Sequence, residues 1–399
     1  MISSNHTLLV LLWCLVAIFT TSVSAQSLIE QALMRAGENA MQLRTALDQI
    51  SEAERTGMEF LIAYMPQQDL QTLTADFLLE HVTYAYKAWH QSPWKEQISE
   101  DLFLNNILPY ANVTEIREDW RKNFYDQFQG LIKEAKTPGK AAVKLNHQIF
   151  KQTGVKYSRK RSRPDQAPSE TIQTGVASCT GLSVMLIDVC RSVGIPARLV
   201  GTPLWSNMSG NHSWVEIWDN GWNFTGACEP TGDDLNQGWF IGRAAQADRD
   251  SRLHAIYAVS YKPTNLVFPL AWSEDTDQVW AVNVTDRYTR LKEDLPDEVV
   301  RVMFETTDQN GERLSAKLMV KDISNRTIFQ GKTNDERFDA NDHVSTKVEL
   351  NQIYRVEVKH GTESQVSKIE IKAENQLFSF QLSELEEPSD TSPGQNRSK

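Results

Sequence analysis

The stretch that most constrains the fold begins at Ser178 and predicts one helix followed closely by three short strands. After Cys179, apolar residues recur at three- and four-residue steps, which is the pattern of one buried helix face. Ser178 is a favourable N-cap, and Gly194 followed by Pro196 is a typical helix stop. The pattern therefore predicts a helix with a cysteine in its first turn.

Three strands are predicted after this helix, and the second and third each place a candidate polar group at a strand end. The first strand runs over 197–202, the second begins at His212, and the third runs over 222–227 into Glu229. Asp219-Asn220-Gly221 has the composition of a hairpin turn between the second and third strands. A thiol, an imidazole and a carboxylate thus follow one another, each at the end of a regular element.

This set of groups suits acyl chemistry on a cysteine nucleophile. Cys179 would attack an acyl carbon, His212 would take the thiol proton, and an acid would orient the imidazole. A helix N-terminus lowers the pKa of a cysteine thiol from ~8.5 into the range ~3.5–7.5. We therefore expect a thiolate at Cys179, although the order of the three residues specifies little by itself.

Three motifs around these residues resemble the transglutaminase-like superfamily, which belongs with the papain-like thiol enzymes. They are "RSVGIPARLV", "NHSWVEIW" and "GWNFTGACEP", preceded by a cysteine that opens an amphipathic helix. The resemblance covers roughly residues 171–243, and the upstream helical segments are similar to those of secreted bacterial members. It implies a papain-like catalytic core with Cys179 as the nucleophile and His212 as the general base.

The third catalytic position departs from the commonest pattern of this family, in which Asp precedes Pro. Here Glu229 precedes the proline, so the resemblance assigns the orienting role to Glu229, with Asp233 and Asp234 as alternatives. The family's oxyanion donor is usually a side chain upstream of the cysteine. Gln173, six residues before Cys179, is the candidate, alongside the backbone N–H of the cysteine itself.

The N-terminal residues predict export from the cytoplasm. An apolar run from Leu8 to Phe19 precedes Val23 and Ala25, which fit the small-residue cleavage rule, with cutting before Gln26. The alternative is an uncleaved anchor, but the run is short for a membrane span. We expect a signal peptide and a periplasmic or extracellular protein, with no transmembrane segment after its removal.

The remaining pattern predicts an α+β protein with a helical N-terminal region, a papain/transglutaminase-like catalytic core and a C-terminal β-sandwich. Seven or so short alternating runs after residue 270 carry the sandwich prediction. The predicted divisions are a signal peptide (1–25), a helical region (26–150), the catalytic domain (151–268), the sandwich (269–383) and a disordered tail (384–399).

Cysteine usage and charge limit the cofactors and partners. Cys190 and Cys228 could form a disulfide, but two buried thiols are the favoured interpretation. A zinc site built from the three cysteines and His212 lacks the spacing of a zinc module, so no metal and no cofactor is predicted. The formal net charge of −11 argues against nucleic acid and leaves a peptide or protein as the substrate.

Two further groups of residues admit two interpretations each. Four basic residues between 159 and 163 could bind an acidic partner or substrate, or form a solvated loop. A tryptophan group could exclude water beside the imidazole or fill the core. Its members are Trp205, Trp214, Trp218, Trp222 and Trp239.

Three functions remain open from the sequence. The first is hydrolysis of a peptide or amide bond through a thioester on Cys179, of which peptide N-glycanase activity would be a narrower form. The second is acyl transfer to amines, of the protein-glutamine gamma-glutamyltransferase type. The third is an inactive binding scaffold, which the intact cysteine, histidine and acid disfavour. We expect the hydrolase.

Overall fold

The computed structural model describes residues 27–273, 279–373 and 375–382. The predicted signal peptide (1–25) and the predicted tail (384–399) lie outside the described residues. The chain divides into two compact units, one ending at Lys292 and the other beginning at Glu293.

This division differs from the predicted boundary between 268 and 269, and one strand explains the difference. Trp280–Asn283 pairs with Tyr257–Ser260, so it belongs to the sheet of the first unit. The sequence of a strand of four residues does not indicate which sheet it joins. Its pairing partner decides to which unit it belongs.

Helices make up most of the N-terminal half of the first unit. Residues 27–36 are helical. The helices that follow are α1 (Ala40–Gln49), α2 (Arg55–Tyr64), α3 (Gln67–Thr72), α4 (Ala75–Gln91), α5 (Glu100–Asn106), α6 (Arg121–Ile132), α7 (Pro138–Thr153), α8 (Pro168–Thr174), α9 (Cys179–Ser192), α10 (Ile241–Ala244) and α11 (Thr285–Thr289). Short 3-10 turns occupy Gly37–Asn39, Glu52–Glu54 and Lys95–Gln97.

The first unit contains two sheets. Its strands are β1 (Lys156–Tyr157), β2 (Val176–Ala177), β3 (Ala197–Thr202), β4 (His212–Trp218), β5 (Trp222–Thr225), β6 (Tyr257–Ser260), β7 (Leu266–Val267) and β8 (Trp280–Asn283). The strands β1 and β2 pair in parallel, and the other six form an antiparallel sheet in the order β5-β4-β3-β6-β8-β7. Helix α9 packs on β3 and β4 of that sheet.

Buried polar contacts join the N-terminal helices to the end of α9. Trp94 donates its indole N–H to the carbonyl of Gly194 at 2.7 Å. Arg121 of α6 is fully buried and donates to the carbonyls of Ile107, Leu108 and Pro109, each at 2.9 Å. Buried arginine is tolerated where its donors are satisfied, and Arg121 also donates to the carbonyl of Arg191 at 3.3 Å, which packs the N-terminal helices against the last turn of α9.

The second unit consists of two sheets with one shared apolar core. Its strands are β9 (Val299–Thr307), β10 (Lys317–Lys321), β11 (Thr327–Lys332), β12 (Val344–Glu349), β13 (Ile353–His360), β14 (Glu363–Glu370) and β15 (Leu377–Gln381). One sheet has the order β11-β10-β13-β14 and the other β12-β9-β15. Alternate residues such as Val302, Phe304, Val356 and Val358 point into the shared core.

The α+β fold class is therefore confirmed, with a helical N-terminal region and a strand-rich C-terminal half. The seven strands of the second unit match the seven predicted runs. Among the described residues, no helix combines the length and the apolar character that a bilayer crossing would require.

Candidate active site

The cysteine lies where the sequence predicts it, at the first position of α9. Ser178 is the N-cap, and its hydroxyl accepts the backbone N–H of Gly181 at 3.1 Å. The same hydroxyl donates to the carbonyl of Pro164, which attaches the preceding loop to the helix start. Cys179 is half-buried, so its sulfur lies in the first turn, where N–H groups and the helix dipole favour an anion.

The histidine lies at the first position of β4, also as predicted, and only 1% of its surface is exposed. The Sγ of Cys179 and a ring nitrogen of His212 lie within 4.8 Å of each other. A helix start and a strand start thus bring the predicted nucleophile and the predicted base together.

Hydroxyl groups next to both residues connect the two elements. Thr180, which follows the cysteine, donates to the hydroxyl of Ser213, which follows the histidine, at 3.1 Å. One turn further along α9, Ser183 donates to the carbonyl of Ser213 at 3.4 Å. These bonds fix the register between the first turn of α9 and the start of β4.

Aromatic rings surround the imidazole of His212. Trp239 and Phe240 lie closest, with ring centroids 4.7 and 5.1 Å away. Trp214 and Trp205 stack on the same imidazole at 5.8 and 6.1 Å. Apolar rings on this scale exclude water from the imidazole and restrict its rotation.

Glu229 is hydrogen-bonded to this aromatic group. Trp239 donates its indole N–H to Oε2 of Glu229 at 2.8 Å, and the same indole ring packs against His212. The carboxylate folds back toward Gly226, where an added Cβ would lie 2.6 Å from Oε2. Gly226 is therefore the residue that leaves room for the carboxylate.

The turn that leads to Glu229 is held by Asn146 of α7. Its side-chain amide donates to the carbonyl of Gly226 at 2.8 Å, and its Oδ1 accepts the N–H of Cys228 at 2.9 Å. Cys228 has a φ of 65°, a left-handed conformation that costs free energy in a residue with a Cβ. The buried amide of Asn146 stabilises this turn and so fixes the backbone position of Glu229.

The two alternative acids contact other partners on an exposed surface. Asp234 pairs with Lys140 at 2.6 Å. Asp233 lies 3.7 Å from a ring nitrogen of His147, with its side chain 96% exposed. Both therefore extend toward α7.

Gln173, the predicted oxyanion donor, is exposed on the short helix α8. The buried amide upstream of the cysteine belongs to Gln166, which donates to the hydroxyl of Thr174 at 3.2 Å and to the carbonyl of Val176 at 3.1 Å. Gln166 thus supports the strand that leads into α9.

A buried carboxylate organises the middle of β4. Glu216 accepts from Arg198 Nε at 2.8 Å and from the hydroxyl of Tyr288 at 2.9 Å, and it also pairs with Arg287. The Tyr288 hydroxyl accepts the indole N–H of Trp214 at 2.7 Å. Glu216 therefore holds Trp214, and through it one face of the imidazole pocket.

Cys190 and Cys228 are thiols, so the disulfide that their number allowed is not formed. Burial, followed by the nearby charge of Glu229, raises the pKa of the Cys228 thiol to about 12. Within the described residues, neither thiol joins Cys179 and His212 in a set of three close metal-ligating atoms.

Sequence reasoning missed the residues that act through tertiary contacts. Asn146, Thr180 and Ser213 were not singled out, and Trp239 appeared only as one of five tryptophans. A usable signal exists for Thr180 and Ser213, because each directly follows a predicted catalytic residue. Asn146 lies 80 residues from Gly226 and 82 from Cys228, and no local pattern marks it.

Comparison with known proteins gives one family and several distant structures. The model of the transglutaminase-like superfamily matches residues 126–227, a range that includes Cys179 and His212 and ends two residues before Glu229. A search of curated proteins gives no match.

The similar solved structures include a red sea bream transglutaminase, with 9% identity over 71% of this chain and 66% of that chain and a TM-score of 0.30. A candidate cysteine protease from Cytophaga hutchinsonii has 18% identity over 41% of this chain and 57% of that chain, with a TM-score of 0.24. The TIE protein of Bacillus anthracis has 10% identity over 47% of this chain and 30% of that chain, with a TM-score of 0.18. The chain thus spans less than two thirds of the length of each.

The family model matches the part of the chain that contains the start of α9, with Cys179, and the start of β4, with His212. The predicted resemblance is confirmed at that level: residues 126–227 match the transglutaminase-like core model.

Proposed function

We propose that this protein is a thiol hydrolase that cleaves a peptide or amide bond through a thioester on Cys179. The observation that carries the proposal is the approach of the Cys179 sulfur to within 4.8 Å of a His212 ring nitrogen. That proximity brings the thiol and the imidazole close enough for His212 to act as the base, and catalytic contacts tighten further when substrate binds.

In this mechanism His212 takes the thiol proton and the thiolate attacks the carbonyl carbon of the amide. The tetrahedral intermediate collapses when the C–N bond breaks, and His212 delivers its proton to the departing amine. Water then attacks the thioester, His212 takes a proton from that water, and the sulfur leaves as the acid product forms. The backbone N–H of Cys179 is our candidate oxyanion donor, because first-turn N–H groups point away from the helix.

We assign the orienting role to Glu229. Its carboxylate is bonded to Trp239, whose ring lies 4.7 Å from the imidazole, so the acid and the base share one support. Asp233 and Asp234, by contrast, contact His147 and Lys140. The pairing through Trp239 supports Glu229 over both alternatives.

The test is intact-mass and product analysis with a synthetic peptide pool, with and without excess methylamine. Hydrolysis predicts cleaved products that carry a new carboxylate, together with an acyl adduct on Cys179 after acid quenching. Methylamide products that replace the hydrolysed ones would show acyl transfer instead. If the wild-type protein gives no adduct and no product while Cys179→Ala behaves identically, the protein is not an enzyme of this kind.

We also propose export through a cleaved signal peptide. The apolar run over residues 8–19 and the small residues Val23 and Ala25 support it. Expression of the full chain in a bacterial host, followed by N-terminal sequencing of the secreted or periplasmic fraction, tests it. A new N-terminus at Gln26 is expected, and an intact N-terminus in the cytosolic fraction would contradict export.

A further inference from the structure

The outer face of the four-stranded sheet in the second unit carries basic side chains in register across its strands. Alternate residues of β10 and β13, such as Leu318 and Val356, point into the core, so the residues between them point outward. The outward positions of the four strands include six cations, here called the basic face: Lys317, Lys321, Lys332, Arg355, Lys359 and Lys368. We propose that the basic face docks this protein on the surface of an anionic lipid bilayer.

The strand pairing arranges the six cations in two rows. The cross-strand neighbours of the first row are Lys332, Lys317 and Lys359. Those of the second row are Lys321, Arg355 and Lys368. Neighbouring strands lie roughly 4.8 Å apart, and the rows lie about 13 Å apart because four residues of a strand separate them. The cations therefore cover an area rather than a single line.

This arrangement works against the stability of the sheet. Like charges directly opposite one another on adjacent strands are destabilising, and Lys317 has a lysine opposite it on both sides. Within the part of the chain that the structure describes, none of the six cations forms an ion pair. Ion pairs in the same unit are formed instead by Arg301, Arg326, Arg337, Lys347 and Lys372. The fold thus does not account for the charge of the basic face.

Charge is segregated within the second unit. Residues 293–382 contain seventeen aspartates and glutamates and twelve lysines and arginines. Half of those basic residues lie on the basic face. The acidic residues at the outward positions of its four strands are Glu357 and Glu370, and Glu370 pairs with Lys372 at 3.0 Å. The face is therefore cationic on a chain of formal net charge −11, and the ligand that complements it is an anion.

The side chains between the cations favour a bilayer over a soluble polyanion. Val366 and Ile353 point outward on the same face, with 49% and 48% of their surface exposed. Aliphatic side chains beside lysine and arginine suit an anionic membrane, because the cations contact phosphates while the aliphatic groups enter the headgroup region. The outward positions of these four strands hold no aromatic residue, whereas aromatic stacking is a usual means of holding single-stranded nucleic acid.

The first experiment measures co-sedimentation of the purified protein with lipid vesicles. Vesicles of phosphatidylcholine alone are compared with vesicles that contain about one third phosphatidylglycerol. The ratio of the two partition coefficients is the readout, and it cancels any contribution of the apolar run over residues 8–19. The ratio should exceed about a hundredfold at low salt and fall as salt is added. A ratio near one would overturn the proposal.

The second experiment removes two cations from each row in turn. Lys317→Gln with Lys359→Gln changes the first row, and Arg355→Gln with Lys368→Gln changes the second. Each pair should lower the ratio about thirtyfold, since each basic residue near an anionic bilayer contributes about fivefold in affinity. A loss confined to one row would contradict docking on a flat surface, because a bilayer meets both rows.

Two controls separate docking from net charge and from folding. Lys133→Gln with Lys136→Gln removes two exposed charges from another segment and should change the ratio less than about twofold. An equal loss in this control would make net charge the cause. Because the row variants relieve repulsion, their urea unfolding should occur at the same or a higher concentration. Earlier unfolding would show that the cations serve the fold, against the proposal.

Soluble polyanions test the assignment to lipid. Heparin and duplex DNA are titrated into the unmodified protein and both row variants under the same salt conditions. Weaker binding than to the anionic vesicles supports the bilayer. Tighter binding of either polymer that is lost in the row variants would reassign the basic face to that polymer and overturn the proposal.

Discussion

Helix α9 carries two cysteines, and its first and last turns give them opposite environments. Cys179 is half-buried in the first turn, next to hydroxyl groups and the imidazole. Cys190 is completely buried in the last turn, where loss of solvation raises the pKa of its thiol. The same residue type on the same helix is thus a nucleophile candidate at one end and a core residue at the other.

The last turn is held by charged groups that serve structure. Arg191 is buried and donates to the carbonyl of Ala197 at 3.1 Å and to that of Ala111 at 3.0 Å. Asp188 accepts from the side-chain amide of Asn112 at 2.9 Å. The environment of a side chain along α9, and not its residue type, therefore distinguishes the candidate nucleophile in the first turn from the structural residues in the last turn.

Exchanging each cysteine for alanine gives the largest contrast between the two turns. Cys179→Ala should lower turnover by more than about a thousandfold, because it removes the nucleophile. Cys190→Ala should keep turnover and lower the free energy of unfolding by about 1 kcal/mol, because it leaves a small cavity. Steady-state kinetics measure the turnover of both variants, and denaturant unfolding measures their stability. A comparable loss of turnover in both variants would contradict the distinction between the two turns.

Removing the charge of Glu229 should have the next largest effect. Glu229→Gln is expected to lower kcat by about 10²- to 10⁴-fold if the carboxylate orients His212. Asp233→Asn and Asp234→Asn are the matched controls and should change kcat less than about twofold, since exposed ion pairs contribute little. A silent Glu229→Gln with a crippling Asp233→Asn would reassign the third catalytic residue.

A substitution at Trp239 tests whether its indole links Glu229 to His212. Trp239→Phe keeps an aromatic ring and loses the N–H donated to Glu229. A hydrogen bond to a charged group contributes about 1.5–3 kcal/mol, so kcat should fall at least about tenfold with KM little changed. Trp218→Phe, further along β4, is the control, and full activity of Trp239→Phe would show that Glu229 is held by other contacts.

Acid should weaken the last turn of α9 through the buried imidazole of His81. His81 is fully buried, accepts from Arg121 Nε at 3.3 Å and donates to the carbonyl of Glu118 at 3.2 Å. Burial, followed by the charge of Arg121, holds the pKa of His81 well below its usual value. Arg121 in turn donates to the carbonyl of Arg191 in the last turn of α9.

The sign of this pH dependence follows from the neutral imidazole. The unfolded chain protonates His81 near pH ~6.5 and the folded chain does not, so stability is full above that pH and falls below it. The expected slope is up to about 1.4 kcal/mol for each pH unit. Urea unfolding between pH 7 and pH 5 should show it, and His81→Gln should flatten it relative to His147→Gln; an unchanged slope would mean that other groups cause the acid sensitivity.

Much of the site could be predicted because its parts are local in sequence. The apolar period of α9, the N-cap at Ser178 and the strand starting at His212 are each set by a few adjacent residues. The seven strands of the second unit follow from alternation in the same way. Local patterns thus predicted that Cys179 opens a helix and that His212 opens a strand.

What could not be predicted depends on contacts between distant parts of the chain. Asn146 reaches the turn at Cys228 from another helix, and the hydrogen bond from Trp239 to Glu229 spans ten residues of irregular chain. The return of Trp280–Asn283 to the sheet of the first unit likewise depends on pairing alone. The periodicity of apolar residues in the sequence carries no information about which distant residues form these contacts.

The most direct test of the central claim is alkylation by iodoacetamide at about pH 6, followed by intact-mass measurement and peptide mapping of the folded protein. An activated thiolate in the first turn of α9 predicts selective modification of Cys179, with Cys190 and Cys228 unmodified. Modification of Cys190 or Cys228 as fast as Cys179, or a Cys179 that reacts no faster than an ordinary thiol at that pH, would contradict the account.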